Sequence, residues 1–229
     1  MSVLEYLHSN ISIAFQKNPH RFFTEHDIHS ELCLIATDFL EKRSDLFATT
    51  KDEYTVSRVH HEYPTPFRCD MSNYNFKLIT EEEFDMKRER IKGFRARRGF
   101  IDFVILNPAF ISSNNLSVVS GKRYKDVLPT LRNQRDPVLD LAIEVIYHFV
   151  YDKKLHEGIM KRRVDSTIQD YKKLGALTKH KLSTNVKFCR EAAMLFFSNT
   201  EHKDKLERLF ESFPKSNVPC FKIVHSSNR

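Results

Sequence analysis

Apolar residues recur three and four positions apart in the first part of the chain, which is the spacing of a helix with one buried face. This spacing predicts amphipathic helices over residues 3–16 and 24–42. Thr24 is a credible N-cap for the second helix, because Glu25 and Asp27 follow it in the first turn. The positions expected to be buried along this second helix are Ile28, Leu32, Ile35, Phe39 and Leu40.

The pattern changes to that of β-strands after residue 50. Residues 55–63 alternate between two faces, and we expect Pro64 and Pro66 to end this strand because proline lacks a backbone N–H. Four further apolar segments are predicted strands: 100–106, 139–150, 192–197 and 220–225. Helical patterns are found at 80–92, 159–176 and 201–213. This order predicts an α/β fold with a central mixed β-sheet flanked by helices.

The composition is that of a folded domain. The chain has 229 residues, 41% of them apolar, and shows neither an internal repeat nor a flexible linker, so we expect a single domain over residues 1–229. Its core is expected at about 24–226, after a short helical extension at 1–20. No run approaches the roughly 20 apolar residues of a membrane helix, and the N-terminus lacks the features of an export signal. We therefore expect an intracellular, cytoplasmic protein with no membrane partner.

The charge of the chain favours a polyanionic partner. Lys and Arg number 37 against 30 Asp and Glu, a formal net charge of +7. Residues 87–98 (KRERIKGFRARR) carry seven basic side chains and the single acid Glu89. Because neutralising phosphates releases condensed counterions, nucleic acid is the expected partner, although a solvated basic face is the simpler alternative. The four cysteines form no CxxC pair, so we expect free thiols and no zinc site.

Two carboxylates interrupt strands that are otherwise apolar. Asp102 lies within GFIDFVIL, and Glu144 lies within LAIEVIY. A buried carboxylate is unfavourable unless it is paired or binds a metal. A salt bridge to a nearby arginine, or a position at an exposed strand end, would explain either residue alone. Together, on strands expected to be neighbours, Asp102 and Glu144 predict a divalent-metal site, because Mg²⁺ prefers carboxylate oxygens.

This arrangement resembles the PD-(D/E)xK, or restriction-endonuclease-like, nuclease superfamily. The matching segments are residues 98–102 (RGFID) and 142–146 (AIEVI), within an order of elements that resembles the family's αβββαβ core. Glu31 matches the acidic residue that many members carry on their first helix. The resemblance implies a metal-dependent nuclease that hydrolyses DNA phosphodiester bonds, and a nucleoid-associated protein if DNA is the substrate. Many such nucleases pair, so a homodimer is one arrangement that it implies.

The resemblance also implies roles for single residues. Asp102 and Glu144 would be catalytic metal ligands, the carbonyl of Val145 would add an oxygen, and Glu31 would be an outer or second-metal ligand. The metal would be Mg²⁺ or Mn²⁺, which lowers the pKa of a water and stabilises charge on the phosphate. The side chains expected to hold phosphates at the mouth of the groove are Arg95, Arg97, Arg98, Lys122 and Arg123.

One position departs from the family pattern. The lysine usually found two residues after the glutamate is replaced by Ile146. Lys172 or Lys173 on the next helix could supply the ammonium group. Lys172 shares a helical face with Ile168, so we expect Lys172 to point inward as the catalytic lysine and Lys173 to be more exposed. Migration of the lysine and loss of activity both stay open.

Other interpretations follow from the same residues. His60 and Glu62 share one face of the first strand and could reach the metal site, but a polar edge strand is the simpler explanation, so neither is assigned a catalytic role. His26 and His29 share a face of the helix that carries Glu31. The alternative functions are a catalytically inactive nuclease-fold protein that binds nucleic acid, and an interaction subunit whose basic surface meets an acidic protein.

Overall fold

Side-chain caps begin both N-terminal helices in the computed structural model. Helix α1 (Val3–Lys17) begins with a capping box, in which the Ser2 N–H donates to the Glu5 carboxylate over 2.8 Å. Helix α2 (Glu25–Glu41) follows Thr24, whose N–H donates to the Asp27 carboxylate over 2.8 Å. This bond lowers the pKa of Asp27 and favours its charged form at the positive end of the helix. Both helices confirm the prediction from the apolar spacing.

The structure describes residues 1–70, 77–92, 94, 96–121, 135–148, 157–179, 186–198 and 220–225. The remaining helices in these ranges are α3 (Glu81–Arg90), α4 (Pro108–Ser113), α5 (Leu116–Val119) and α6 (Glu157–Lys179), with a 3-10 turn at Pro19–Arg21. The strands are β1 (Phe47–Thr49), β2 (Thr55–Ser57), β3 (Val59–Asp70), β4 (Lys77–Thr80), β5 (Ala96–Leu106), β6 (Leu139–His148), β7 (Cys189–Ser198) and β8 (Cys220–His225).

Six of these strands form one mixed sheet in the order β4-β3-β5-β6-β7-β8. The pairs from β4 to β6 are antiparallel, whereas β6, β7 and β8 run parallel. The parallel connection from β6 to β7 contains α6, as expected because parallel neighbours need a long crossover. Strands β1 and β2 form a separate antiparallel pair.

Helices cover both faces of the sheet. Helices α1 and α2 pack on one face of the central strands, against odd-numbered positions of β6 such as Leu141 and Ile143. Helices α4, α5 and α6 contribute to the cluster on the other face, which includes Ala142 and Leu174. The alternation along β6 follows from the period of two in a strand. The structure therefore confirms the expected α/β class, a mixed sheet flanked by helices.

The first predicted strand is wrong in its bounds. It divides at Arg58 into β2, which pairs with β1, and β3, which continues past both prolines to Asp70. The β3–β5 register explains how the prolines are accommodated, because Pro64 opposes Phe100 whereas Arg68 opposes Arg98. Four residues of β3 thus span the length of two residues of β5. Because of this bulge, no hydrogen bond to β5 requires an N–H at Pro66.

The other bounds differ less. Strand β5 begins before the predicted residue 100, and β7 extends the predicted strand at 192–197 in both directions. Strands β1 and β4 and helices α4 and α5 are additions to the prediction. The predicted helix at 201–213 lies outside the described residues. Within the described ranges, no helix is both long and apolar enough to span a membrane.

A buried arginine joins the small β1–β2 pair to the main sheet. Arg58, only 4% exposed, donates to the Leu106 carbonyl over 2.9 Å and forms ion pairs with Asp45 and Asp140. Asp140 also pairs with Arg190, which is 61% exposed. Removing one partner of a buried pair leaves an uncompensated charge, whereas exposed pairs contribute little.

We therefore expect Arg58→Ala to reduce the free energy of unfolding by about 3–5 kcal/mol, because Asp140 loses its buried partner. Arg190→Ala, which removes the exposed partner of the same carboxylate, should cost less than about 1 kcal/mol. Urea denaturation followed by far-UV circular dichroism measures both changes. Equal losses in the two variants would show that Arg58 is not the main partner of Asp140.

Candidate active site

The ladder between β5 and β6 ends where the two carboxylates lie. Phe103 opposes Ile143 in the last recorded pair at this end, so continued register would place Asp102 opposite Glu144. Instead, the N–H of Val145 donates to Oδ2 of Asp102 over 2.8 Å. The carboxylate takes the place of a backbone acceptor, and two acidic residues meet at a gap in the sheet.

Lys173 is the cation of this site. Its Nζ atom lies 2.8 Å from Oε1 of Glu144, 3.1 Å from Oδ1 of Asp170 and 2.6 Å from the carbonyl oxygen of Phe100. The Glu144 side chain is 1% exposed and that of Lys173 is 10% exposed. The ammonium group donates to the Phe100 carbonyl and forms ion pairs with Glu144 and Asp170, so it contacts β5, β6 and α6.

The carboxylates outnumber the cation. Burial raises the pKa of Glu144 well above its ordinary value, and it also raises the pKa values of Asp102 and Asp170. Burial alone would lower the pKa of Lys173, but the surrounding carboxylates, Glu144 first, raise it overall. Lys173 is therefore charged, and among the described residues it faces three acidic side chains. A further cation would be favourable here.

Helix α2 contributes a buried imidazole. The Nε2 atom of His29 lies 3.8 Å from Oδ2 of Asp102, and the His29 side chain is 7% exposed. Burial, with smaller contributions from the neighbouring His26 and His61, lowers the pKa of His29 to about 4. Neither ring nitrogen has a hydrogen-bond partner among the described residues. At neutral pH the ring is thus uncharged and has a lone pair that can accept a hydrogen bond or bind a cation.

The donor set suits a hard cation in part. Asp102 and Glu144 supply carboxylate oxygens, which Mg²⁺ and Mn²⁺ prefer. Within the described part of the chain, however, no three His, Cys, Asp or Glu side chains are grouped as ready metal ligands. Mg²⁺ usually keeps several waters and takes only one or two protein carboxylates. The two carboxylates therefore fit such an ion.

The expected orientation of the two lysines is wrong. Lys172 is exposed, and Lys173 is buried. The reason is the phase of α6, whose inward positions follow the spacing i, i+3, i+4 and i+7. These positions are Asp170, Lys173, Leu174 and Leu177. The inward-facing lysine is therefore the neighbour of the one expected.

Glu31 is engaged by another partner. Its carboxylate lies 2.5 Å from Arg21, and its side chain is 15% exposed. The described contact from α2 to Asp102 comes from His29, two residues earlier in the chain. Val145 contributes its N–H to Asp102, and a role for its carbonyl stays a prediction.

The predicted phosphate-binding residues are only partly described. Arg97 and Arg98 lie on β5, opposite Cys69 and Arg68 of β3. Arg95, Lys122 and Arg123 lie outside the described residues. The contribution of these five residues to binding stays a prediction.

Two further acidic residues, Glu62 and Asp170, lie near the site, and neither was predicted as a site residue. Glu62 occupies the β3 position between His61, which opposes Phe103, and Tyr63, which opposes Ile101. That position is opposite Asp102, whose pKa is raised mainly by burial and to a smaller extent by the charge of Glu62. The sequence feature that pointed to Glu62 is the alternation of residues 55–63, which places Glu62 on one strand face with His60. Asp170 could have been found from its spacing of three residues from Lys173 on a helix.

Comparison of the chain with protein-family models, with curated proteins and with solved structures gives no match. The assignment of chemistry to this site therefore depends on its own residues and geometry.

Exchanging Lys173 for methionine should destabilise the fold by about 3 kcal/mol or more, because Glu144 loses its buried counter-charge. Lys172→Met, the exposed neighbour, should change the free energy of unfolding by less than about 0.5 kcal/mol. Chemical denaturation at neutral pH measures both. The double variant Lys173→Met/Glu144→Leu should recover much of the loss, since an apolar pair can replace a buried ion pair. A double variant as unstable as Lys173→Met alone would contradict the pairing.

Proposed function

We propose that the chain is a metal-dependent nuclease of the PD-(D/E)xK type that hydrolyses phosphodiester bonds of DNA. The observation that carries the proposal is the juxtaposition of Asp102, Glu144 and Lys173 at the gap between β5 and β6. An acidic pair and a lysine are the chemical groups of that family's site. The order α2-β3-β5-β6-α6-β7 supports the proposal, since it resembles the αβββαβ order of elements in the restriction-endonuclease-like fold.

The position of Lys173 supports an active site despite Ile146. The ammonium group approaches Glu144 from α6 rather than from two residues further along β6. The chemical effect of a positive charge depends on its position in space, and the charge of Lys173 lies beside the buried carboxylate of Glu144. This contact supports the proposal that a lysine of the following helix takes the role of the one expected at position 146.

Each residue has a distinct part in the proposed reaction. Asp102 and Glu144 would hold Mg²⁺ or Mn²⁺, which when bound would activate a water and neutralise charge on the phosphate. The Val145 N–H fixes the orientation of the Asp102 carboxylate. Because its pKa is raised, Lys173 stays protonated at neutral pH. It would therefore orient water or stabilise the developing negative charge, and it would not act as the general base.

The basic character of the chain supports a nucleic-acid substrate. The net charge of +7 and the cluster at residues 87–98 favour phosphate binding, and this cluster leads directly into β5, which carries Asp102. A nuclease-fold protein that binds DNA without hydrolysing it is the second candidate. The absence of the usual lysine at Ile146 favours it.

We expect wild-type protein to nick supercoiled plasmid with Mn²⁺ or Mg²⁺ and to stop when EDTA is added, because the carboxylates need the metal. Asp102→Asn, Glu144→Gln and Lys173→Met should each lower the rate by roughly 100-fold or more. Lys172→Met should retain wild-type activity, and circular dichroism at the assay temperature should show that each variant is folded.

Outcomes distinguish the two candidates. Cleavage that persists in EDTA, or in folded Glu144→Gln, would contradict the proposed nuclease. No cleavage, together with DNA binding that weakens steeply as salt rises, would favour the non-catalytic binder.

A further inference from the structure

A pocket of about 450 Å³ opens beside the acidic site. Its walls come from β3, from the middle of β5 and from the short helix α5, and they are largely apolar. The lining includes the apolar side chains of Phe100, Pro64 and Leu116 and the polar side chains of His60, His61 and Glu62. Pockets for small planar ligands have this combination of apolar walls and a few polar groups.

The wall of the pocket is held in place. The Tyr63 hydroxyl donates to the Val119 carbonyl over 2.6 Å, which joins α5 to β3 across the pocket. Tyr63 is 4% exposed and Val119 is 3% exposed, so water does not compete for this bond. The pocket is therefore a preformed cavity rather than a gap that a ligand must open.

Phe100 joins the pocket to the candidate active site. It is 48% exposed, which is unusual for a phenylalanine on a central strand, and it lines the pocket. Its carbonyl oxygen accepts a hydrogen bond from the Lys173 ammonium over 2.6 Å. Asp102 follows two residues later, about 7 Å along the strand. A planar group stacked on Phe100 would thus keep attached atoms within reach of the carboxylate pair.

Glu62 lies between the two features. It lines the pocket, and it lies on β3 between His61, which opposes Phe103, and Tyr63, which opposes Ile101. Its backbone adopts a left-handed conformation, with φ of 49°, which a non-glycine residue adopts at some cost. Residues with such backbone strain cluster at active sites and ligand clamps, although Ser44 and Glu53, which do not line the pocket, also have positive φ. A carboxylate at this position can accept hydrogen bonds from the amino group of a base.

We propose that this pocket receives an unpaired nucleobase of the substrate, with the base stacked on Phe100 and its amino group hydrogen-bonded to Glu62. The proposal rests on the proposed function, because the phosphodiester attached to that base would lie at Asp102 and Glu144. Single-stranded nucleic acid is commonly bound by stacking of bases on aromatic side chains. The substrate would then be DNA with an unpaired or extrahelical nucleotide, not an undistorted duplex.

The test is base insertion measured without cleavage. Duplexes carrying a single unpaired 2-aminopurine are mixed with the full chain in EDTA, and their fluorescence and affinity are compared with a duplex that has an abasic residue there. Wild type should change the 2-aminopurine emission and bind the base-containing duplex on the order of tenfold more tightly than the abasic one. Phe100→Ala should abolish both differences, whereas Phe100→Tyr should retain them.

A matched control separates the pocket from general surface effects. Phe47 on β1 is 58% exposed and is not part of the pocket, so Phe47→Ala should behave as wild type. Equal affinity for the two duplexes in wild type, or an unchanged preference in folded Phe100→Ala, would overturn the proposal. Tight binding of free 2-aminopurine nucleotide with no preference between the duplexes would also overturn it, and would assign the pocket to a free nucleotide. The plasmid assay tests the nuclease separately, so the two failures are distinguishable.

Discussion

The buried ion pair between Glu144 and Lys173 is the interaction on which the site depends. A glutamate that is 1% exposed on a central strand is tolerable only with a counter-charge, and the ammonium 2.8 Å away supplies it. The same ammonium also forms an ion pair with Asp170 and donates a hydrogen bond to the carbonyl of Phe100, so one group connects β5, β6 and α6. The position of α6 over the sheet and the geometry of the acidic residues are therefore set together.

Among the described residues, three acidic side chains surround Lys173, and their raised pKa values link stability to the proposed chemistry. Burial raises the pKa values of Asp102, Glu144 and Asp170, which means that each carboxylate is less favourable when charged than it would be in water. A fold gains nothing from such a cluster by itself. A divalent cation that neutralises it would stabilise the protein and supply Lewis acidity at the same place. This view explains why the fold holds carboxylates that an apolar core would replace with a gain in stability.

The sequence allowed prediction of the features that local patterns determine. Asp102 and Glu144 were identified because each is a single acidic residue within an apolar run, and α1 and α2 were identified from the helical spacing of their apolar residues. The inward lysine of α6 was not predictable in this way, because the choice between Lys172 and Lys173 depends on which side of the helix faces the sheet. The continuation of β3 through Pro64 depends on a bulge set by pairing with β5. His29 joins the site through a contact distant in sequence, which no local pattern reports, whereas the alternation along the first predicted strand already indicated that Glu62 could reach the site.

Calorimetric titration of the protein with Mn²⁺ tests the central claim most directly, because it measures cation binding whether or not a substrate is cleaved. The account predicts saturable Mn²⁺ binding in wild type and loss of this binding in the double variant Asp102→Asn/Glu144→Gln. The heat of binding should depend on pH, because the carboxylates must be deprotonated to bind the metal. Identical titrations of wild type and the double variant, with both proteins folded, would show that these carboxylates hold no metal and would contradict the account.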